Sequence, residues 1–98
     1  MIDHEAPAGC PLCRMALRHI GRLIAFTDQA GKHFAFAICA SCSGRLDRLP
    51  ISVQKRQLDA AVFQLSRHPE RYQYREFPDR DSAYLFVTLE AARLRGDL

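Results

Sequence analysis

The sequence predicts an α+β domain in which two matched cysteine pairs hold a small β-hairpin module, with an amphipathic helix and a C-terminal strand-and-helix extension completing the chain. Three observations lead there. All four cysteines fall into two pairs of the same form, Cys10-Pro-Leu-Cys13 and Cys39-Ala-Ser-Cys42. Between the pairs lie two β-like runs around a polar turn, and beyond them comes a stretch with apolar residues at helical spacing.

Residues 1–8 carry no periodicity and include Pro7, which predicts a mobile tail. The first cysteine pair follows Gly9. Two residues between paired cysteines let a tight turn aim both sulfurs at one ion, with Pro11 fixing a backbone angle inside the turn and amides left free to hydrogen-bond the sulfurs. His19 to Phe26 and Lys32 to Cys39 read as the strands of a hairpin around Thr27-Asp28-Gln29-Ala30-Gly31. In the second strand Phe34, Phe36 and Ile38 alternate with His33, Ala35 and Ala37, placing the large apolar groups on one face. The segment from Ser43 to Pro50 has room for one or two helical turns. Ser52 to Arg67 is the strongest helix: Ser52 suits the N-cap, Leu58, Ala61, Val62 and Leu65 form an apolar stripe to pack on the hairpin, and Pro69 ends it. Arg71 to Phe77 and Ala83 to Thr88 are aromatic and β-branched, which predicts two more strands around Pro78 to Ser82, then a short helix from Leu89 to Arg95 stopped by Gly96. A single helix over residues 81–95 is the alternative, disfavoured because it would be apolar all round.

Two turns of this kind supply the four ligands of a closed tetrahedral site, with zinc–sulfur bonds of about 2.3 Å. The pattern therefore assigns Cys10, Cys13, Cys39 and Cys42 to one structural zinc ion. The competing uses of four cysteines are two disulfides, a redox-active pair or sensor, and buried inert thiols. Disulfides require an oxidising compartment, whereas the polar, acidic start Met1-Ile2-Asp3-His4-Glu5 lacks the cationic and apolar stretches of an export signal and predicts a cytoplasmic protein. A thioredoxin-type motif requires a strand before Cys10, and none is readable there.

At 98 residues the chain is expected to form a single zinc-binding domain over residues 9–98, a zinc module at 9–50 followed by the helix and extension at 51–98. A core of this size is marginal, and a metal cross-link supplies what it lacks. No apolar stretch approaches the roughly 20 residues of a membrane span. The net charge is +3, from 14 basic and 11 acidic side chains, too small an excess to mark a dedicated nucleic-acid binder.

The order of first pair, hairpin and second pair entering a helix resembles the treble-clef class of zinc fingers over residues 9 to about 50. The resemblance implies that Cys10 and Cys13 are ligands from a knuckle before the hairpin, and Cys39 and Cys42 ligands at the start of the helix after it. It implies a fold and a metal and no particular activity, since members bind proteins, nucleic acids or lipids and some are nucleases. A zinc ribbon, with its second pair on another hairpin, is the nearest rival.

Four thiolates would close the metal shell, leaving no position for water or substrate. The nuclease treble clefs pair a hairpin histidine with further histidines or asparagine; here His33 lies on the hairpin, but the chain has no asparagine. His19 and His33 therefore read as polar strand residues, and no enzymatic activity is expected. A nucleic-acid role would draw on Arg14, Arg18, Arg22 and Lys32, joined by Arg45 and Arg48, with Tyr72 and Tyr74 between Arg71 and Arg75 as a base-stacking pattern. A protein-interaction role would draw on Phe63 and Ala60, off the apolar stripe of the main helix, and on Tyr84, Leu85, Phe86 and Val87. The interleaved acids favour the protein partner: a non-enzymatic interaction or adaptor module is the function expected, with a nucleic-acid-binding finger as alternative.

Overall fold

A computed structural model describes residues 9–96; the tail expected at residues 1–8 lies outside them. The chain forms strand β1 (Ile20–Thr27), strand β2 (His33–Cys39), helix α1 (Ala40–Asp47), helix α2 (Ile51–Arg67), a 3-10 turn at Pro69–Arg71, strand β3 (Tyr74–Phe77) and helix α3 (Arg80–Arg95). The strands make one antiparallel sheet in the order β1-β2-β3. Asp28 closes the β1–β2 turn: its carboxylate accepts from the amides of Ala30 (3.0 Å) and Lys32 (2.9 Å), and Gly31 supplies the left-handed residue at φ 83°.

The alternation in β2 sorts the two sheet faces. On one face Ile24, Phe34, Phe36 and Ile38 join Leu46 of α1, Ala61, Val62 and Leu65 of α2 and Tyr72 in a continuous core. The apolar stripe expected of α2 is buried there, with Leu58 at its margin. On the other face the small side chains of β2 let α3 approach closely: Ala35 and Ala83 are 3% and 2% exposed, and Phe86 of α3 packs against Phe77 with the rings tilted and their centroids 5.4 Å apart.

Several boundaries differ from the sequence reading. Pro50, not Ser52, heads α2; its carbonyl accepts from the amides of Val53 (3.0 Å) and Gln54 (2.9 Å). The strand expected from Arg71 is only Tyr74–Phe77, because the preceding residues wind into the 3-10 turn after Pro69. The larger correction is α3. The expected strand at Ala83 to Thr88 does not form, and residues 80–95 are one helix. Asp79 decides this: its carboxylate caps the helix by accepting from the Ser82 amide at 2.7 Å, while Gly96 at φ 82° terminates it. The objection that such a helix would be apolar all round holds only in part. The chain does not bury the outer side of α3, leaving Tyr84 and Leu85 62% and 60% exposed.

Candidate metal centre

The first cysteine pair sits in a knuckle closed by its own backbone. The Cys10 amide donates to the Met15 carbonyl at 2.8 Å, the Arg14 amide donates to the Cys10 carbonyl at 2.6 Å, and Gly9 bridges to Ala16. Arg14 takes the left-handed conformation at φ 65°, which turns the chain back after Cys13. A further bond from the Gly9 amide to the Arg71 carbonyl, 2.9 Å, ties the knuckle to the segment after α2.

The second pair straddles the junction of β2 and α1. Cys39 is the last residue of β2 and the N-cap of α1, and Cys42 lies in the first helical turn. One turn of helix separates the two positions, so their sulfurs project to the same side. Gly21 makes room for this junction. A β-carbon there would lie 2.5 Å from Ala40 Cα and 2.7 Å from the Cys39 carbonyl oxygen, and the β1–β2 register shifts at this point, between Ile20 and Arg22. Arg22 then forms an ion pair with Asp47 at the far end of α1, so β1 grips the helix at both ends.

These elements bring the four thiols together: all Sγ atoms lie within 4.8 Å of one another, and Cys13 Sγ to Cys39 Sγ is 3.9 Å. A tetrahedral ion with bonds of about 2.3 Å sets its ligands about 3.8 Å apart, so the cluster matches a metal ion such as zinc within a small contraction. Among the described residues no histidine or carboxylate joins the cluster. Cys10 and Cys42 are buried in the hydrophobic core, whereas Cys13 and Cys39 are half-buried.

Two hydrogen bonds from outside the thiol set support it. The Cys39 amide donates to Cys10 Sγ at 3.4 Å, and the Arg45 guanidinium donates to Cys42 Sγ at 3.0 Å. Burial pushes the Cys42 thiol up to about 12, helped by the Cys39 and Cys13 thiols and opposed by Arg45. Burial also raises Cys13. For Cys39 burial acts upward too, but the Cys42 amide at the head of α1 and the neighbouring thiols outweigh it and bring the group down to about 7. Of Cys13, Cys39 and Cys42, Cys39 is thus the readiest to ionise, and a divalent ion binding the cluster would displace protons from Cys13 and Cys42.

The remaining candidate residues scatter. His33 is engaged with Thr27 across the hairpin, Nδ1 to Oγ1 2.8 Å, and His19 is exposed. Arg14, Arg18, Lys32 and Arg48 are exposed, while Arg22 is held by Asp47 and Arg45 by Cys42. The base-stacking pattern does not survive: Tyr72 is 7% exposed within the core, and Tyr74 packs on Phe34 with centroids 6.1 Å apart. Arg75 lies over the rings of Phe77 and Phe86 at 5.4 and 4.9 Å. Phe63 stands 57% exposed on α2, with Arg67 over its ring. Gly21 and Arg45 escaped the sequence reading as supports of the site. For Gly21 a signal was present, since a glycine inside a strand often marks a close backbone approach.

No protein family, curated protein or solved structure matches this chain. Among the described residues no helix is long and apolar enough to cross a membrane.

Proposed function

We propose that the protein is a zinc-stabilised, non-enzymatic protein-interaction module of treble-clef type, working in the cytoplasm. The placement of Cys39 and Cys42 at the head of α1, after a knuckle and a hairpin, supports the treble clef over a ribbon with its second pair on another hairpin. Four free thiols suit a reducing compartment, and a shell of four thiolates around zinc leaves no open coordination position for chemistry.

The observation that carries the interaction reading is the outer side of α3, where Tyr84, Leu85 and Leu89 stand 62%, 60% and 49% exposed in neighbouring turns. Contiguous exposed apolar side chains on a small domain mark contact surfaces. Nucleic acid is the less supported alternative: Arg14, Arg18 and Lys32 are exposed, but Arg22 is tied to Asp47, Tyr72 is buried in the core and Tyr74 is half-buried against Phe34. Redox sensing draws support from the partial exposure of Cys13 and Cys39 and from the lowered Cys39 thiol.

The test places a photoreactive amino acid at position 84, 85 or 63 of the full chain and irradiates living cells. Discrete protein adducts from positions 84 and 85 are expected. Their absence, together with a salt-sensitive mobility shift on random duplex or single-stranded nucleic acid, would reverse the order of the two readings.

A further inference from the structure

The four thiols of the cluster do not share the same surroundings. Cys13 and Cys39 line an open cleft of about 400 Å³ together with Met15, Arg18 and Arg45, whereas Cys10 and Cys42 do not border it and are 0% and 2% exposed. The two that open outward come from different pairs, one from the knuckle and one from the head of α1, and their sulfurs stand 3.9 Å apart. That separation is within about 2 Å of a disulfide bond length. Arg18 and Arg45 bring positive charge to the same cleft, and partial exposure beside cations is the setting in which cysteine oxidation is site-selective.

We propose that Cys13 and Cys39 are a site of oxidative modification, coupled into a disulfide by a two-electron oxidant of the hydroperoxide class. The inference goes beyond the interaction reading, and only its consequence for zinc rests on the zinc proposed above. One thiolate attacks a peroxide oxygen, the O–O bond breaks and hydroxide departs, leaving a sulfenic acid. The other thiolate attacks that sulfur and displaces a second hydroxide, so the two sulfurs give up two electrons and solvent protonates both hydroxides to water. The new bond joins the knuckle to the head of α1, the same two elements that an ion on the four sulfurs would join. A disulfide within either pair would leave those elements untied. Its second sulfur would also have to come from the core, at Cys10 or Cys42, away from the cleft in which the first is oxidised. Two sulfurs spent in a disulfide leave only Cys10 and Cys42 to hold an ion, so oxidation and zinc release are coupled.

Hydrogen peroxide added to the reduced, zinc-loaded full chain reads this through peptide mapping. Once the remaining thiols are alkylated, trypsin cleaves after Arg14, Lys32 and Arg45, which puts Cys10 and Cys13 in peptide 1–14 and Cys39 and Cys42 in peptide 33–45. The two peptides should appear joined, with the alkyl label on Cys10 and Cys42, and zinc captured by a chromogenic chelator should rise in step with the joined species. Brief exposure of the native zinc-loaded chain to N-ethylmaleimide should label Cys13 and Cys39 roughly tenfold faster than Cys10 and Cys42. Disulfides closed within either peptide, equal labelling of all four cysteines, or four free thiols in a large excess of peroxide would each overturn the inference. If the reduced chain holds no zinc and the joined peptides still form, the zinc reading fails and the modification site stands. If zinc is bound and no joined peptides form, the zinc reading stands and the modification site fails.

Discussion

At Gly21 strand β1 and the β2–α1 junction that carries the second cysteine pair meet backbone to backbone, with Ala40 Cα where a side chain would begin. Neither neighbour is a flexible side-chain tip that could swing away, so Gly21→Ala must push β1 off the Cys39–Ala40 junction. We expect a loss of about 1–3 kcal/mol of stability, the usual cost of overpacking, and a weaker hold on zinc because Cys39 moves with the junction. Thermal unfolding and competition with a chromogenic chelator would measure both; a variant with unchanged midpoint and metal affinity would show that the junction adapts. Arg45 acts at the same scale by a softer route, since its guanidinium is exposed and touches Cys42 Sγ from outside the thiol set. Arg45→Gln should lower zinc affinity by up to about tenfold, the low end for groups that hydrogen-bond a ligand, and leave the fold intact. The four cysteine positions were readable from spacing alone. Gly21 and Arg45 matter only through the register of β1 on β2 and the first turns of α1, which spacing does not encode.

At the level of elements, the hairpin and α2 were legible because one periodicity dominated each: alternation in Phe34, Phe36 and Ile38, and helical recurrence in Ala61, Val62 and Leu65. The segment at 80–95 was not, because its burial signal is split. Its inner side meets a sheet face of alanines that calls for little apolar bulk, and its outer side is apolar without being buried, so local capping rather than burial pattern settles the conformation. That account predicts a specific sensitivity. Asp79→Ala should speed amide exchange in the first turn of α3, whereas Asp79→Asn, an equally good cap, should leave it nearly unchanged. Equal exchange in all three proteins would mean that packing on Ala35 alone holds the helix. In α1 the opposite kind of change is available. Gly44 lies inside the helix with nothing within 4 Å of an added β-carbon, so Gly44→Ala should stabilise the protein by about 0.5–1 kcal/mol. A lower unfolding midpoint would contradict this.

For the molecule as a whole, the decisive relation is that the thiol cluster and the hydrophobic core are one body. Cys10 and Cys42 belong to the same buried cluster as Ile38, Leu46 and Leu65, and Leu12, Leu17 and Leu49 pack around it from the knuckle and the α1–α2 connection. Removing a metal ion from such a place leaves four thiols, raised at Cys42 and Cys13 by burial, with nothing to hold knuckle, β2 and α1 in register. Since ion binding in small modules of this kind contributes on the order of 10 kcal/mol to the folded state, the loss exceeds what a domain of this size has in reserve. Chelation under reducing conditions should therefore unfold α2 along with the hairpin in a single transition, seen as loss of helical circular dichroism parallel to zinc release. The cysteines should rank by burial: Cys10→Ser, which strands a hydroxyl at a fully buried position, should be more damaging than Cys13→Ser at a half-buried one. If chelated protein kept its helical signal and its unfolding midpoint, the core would be self-sufficient and the thiols would be doing something other than holding a structural ion.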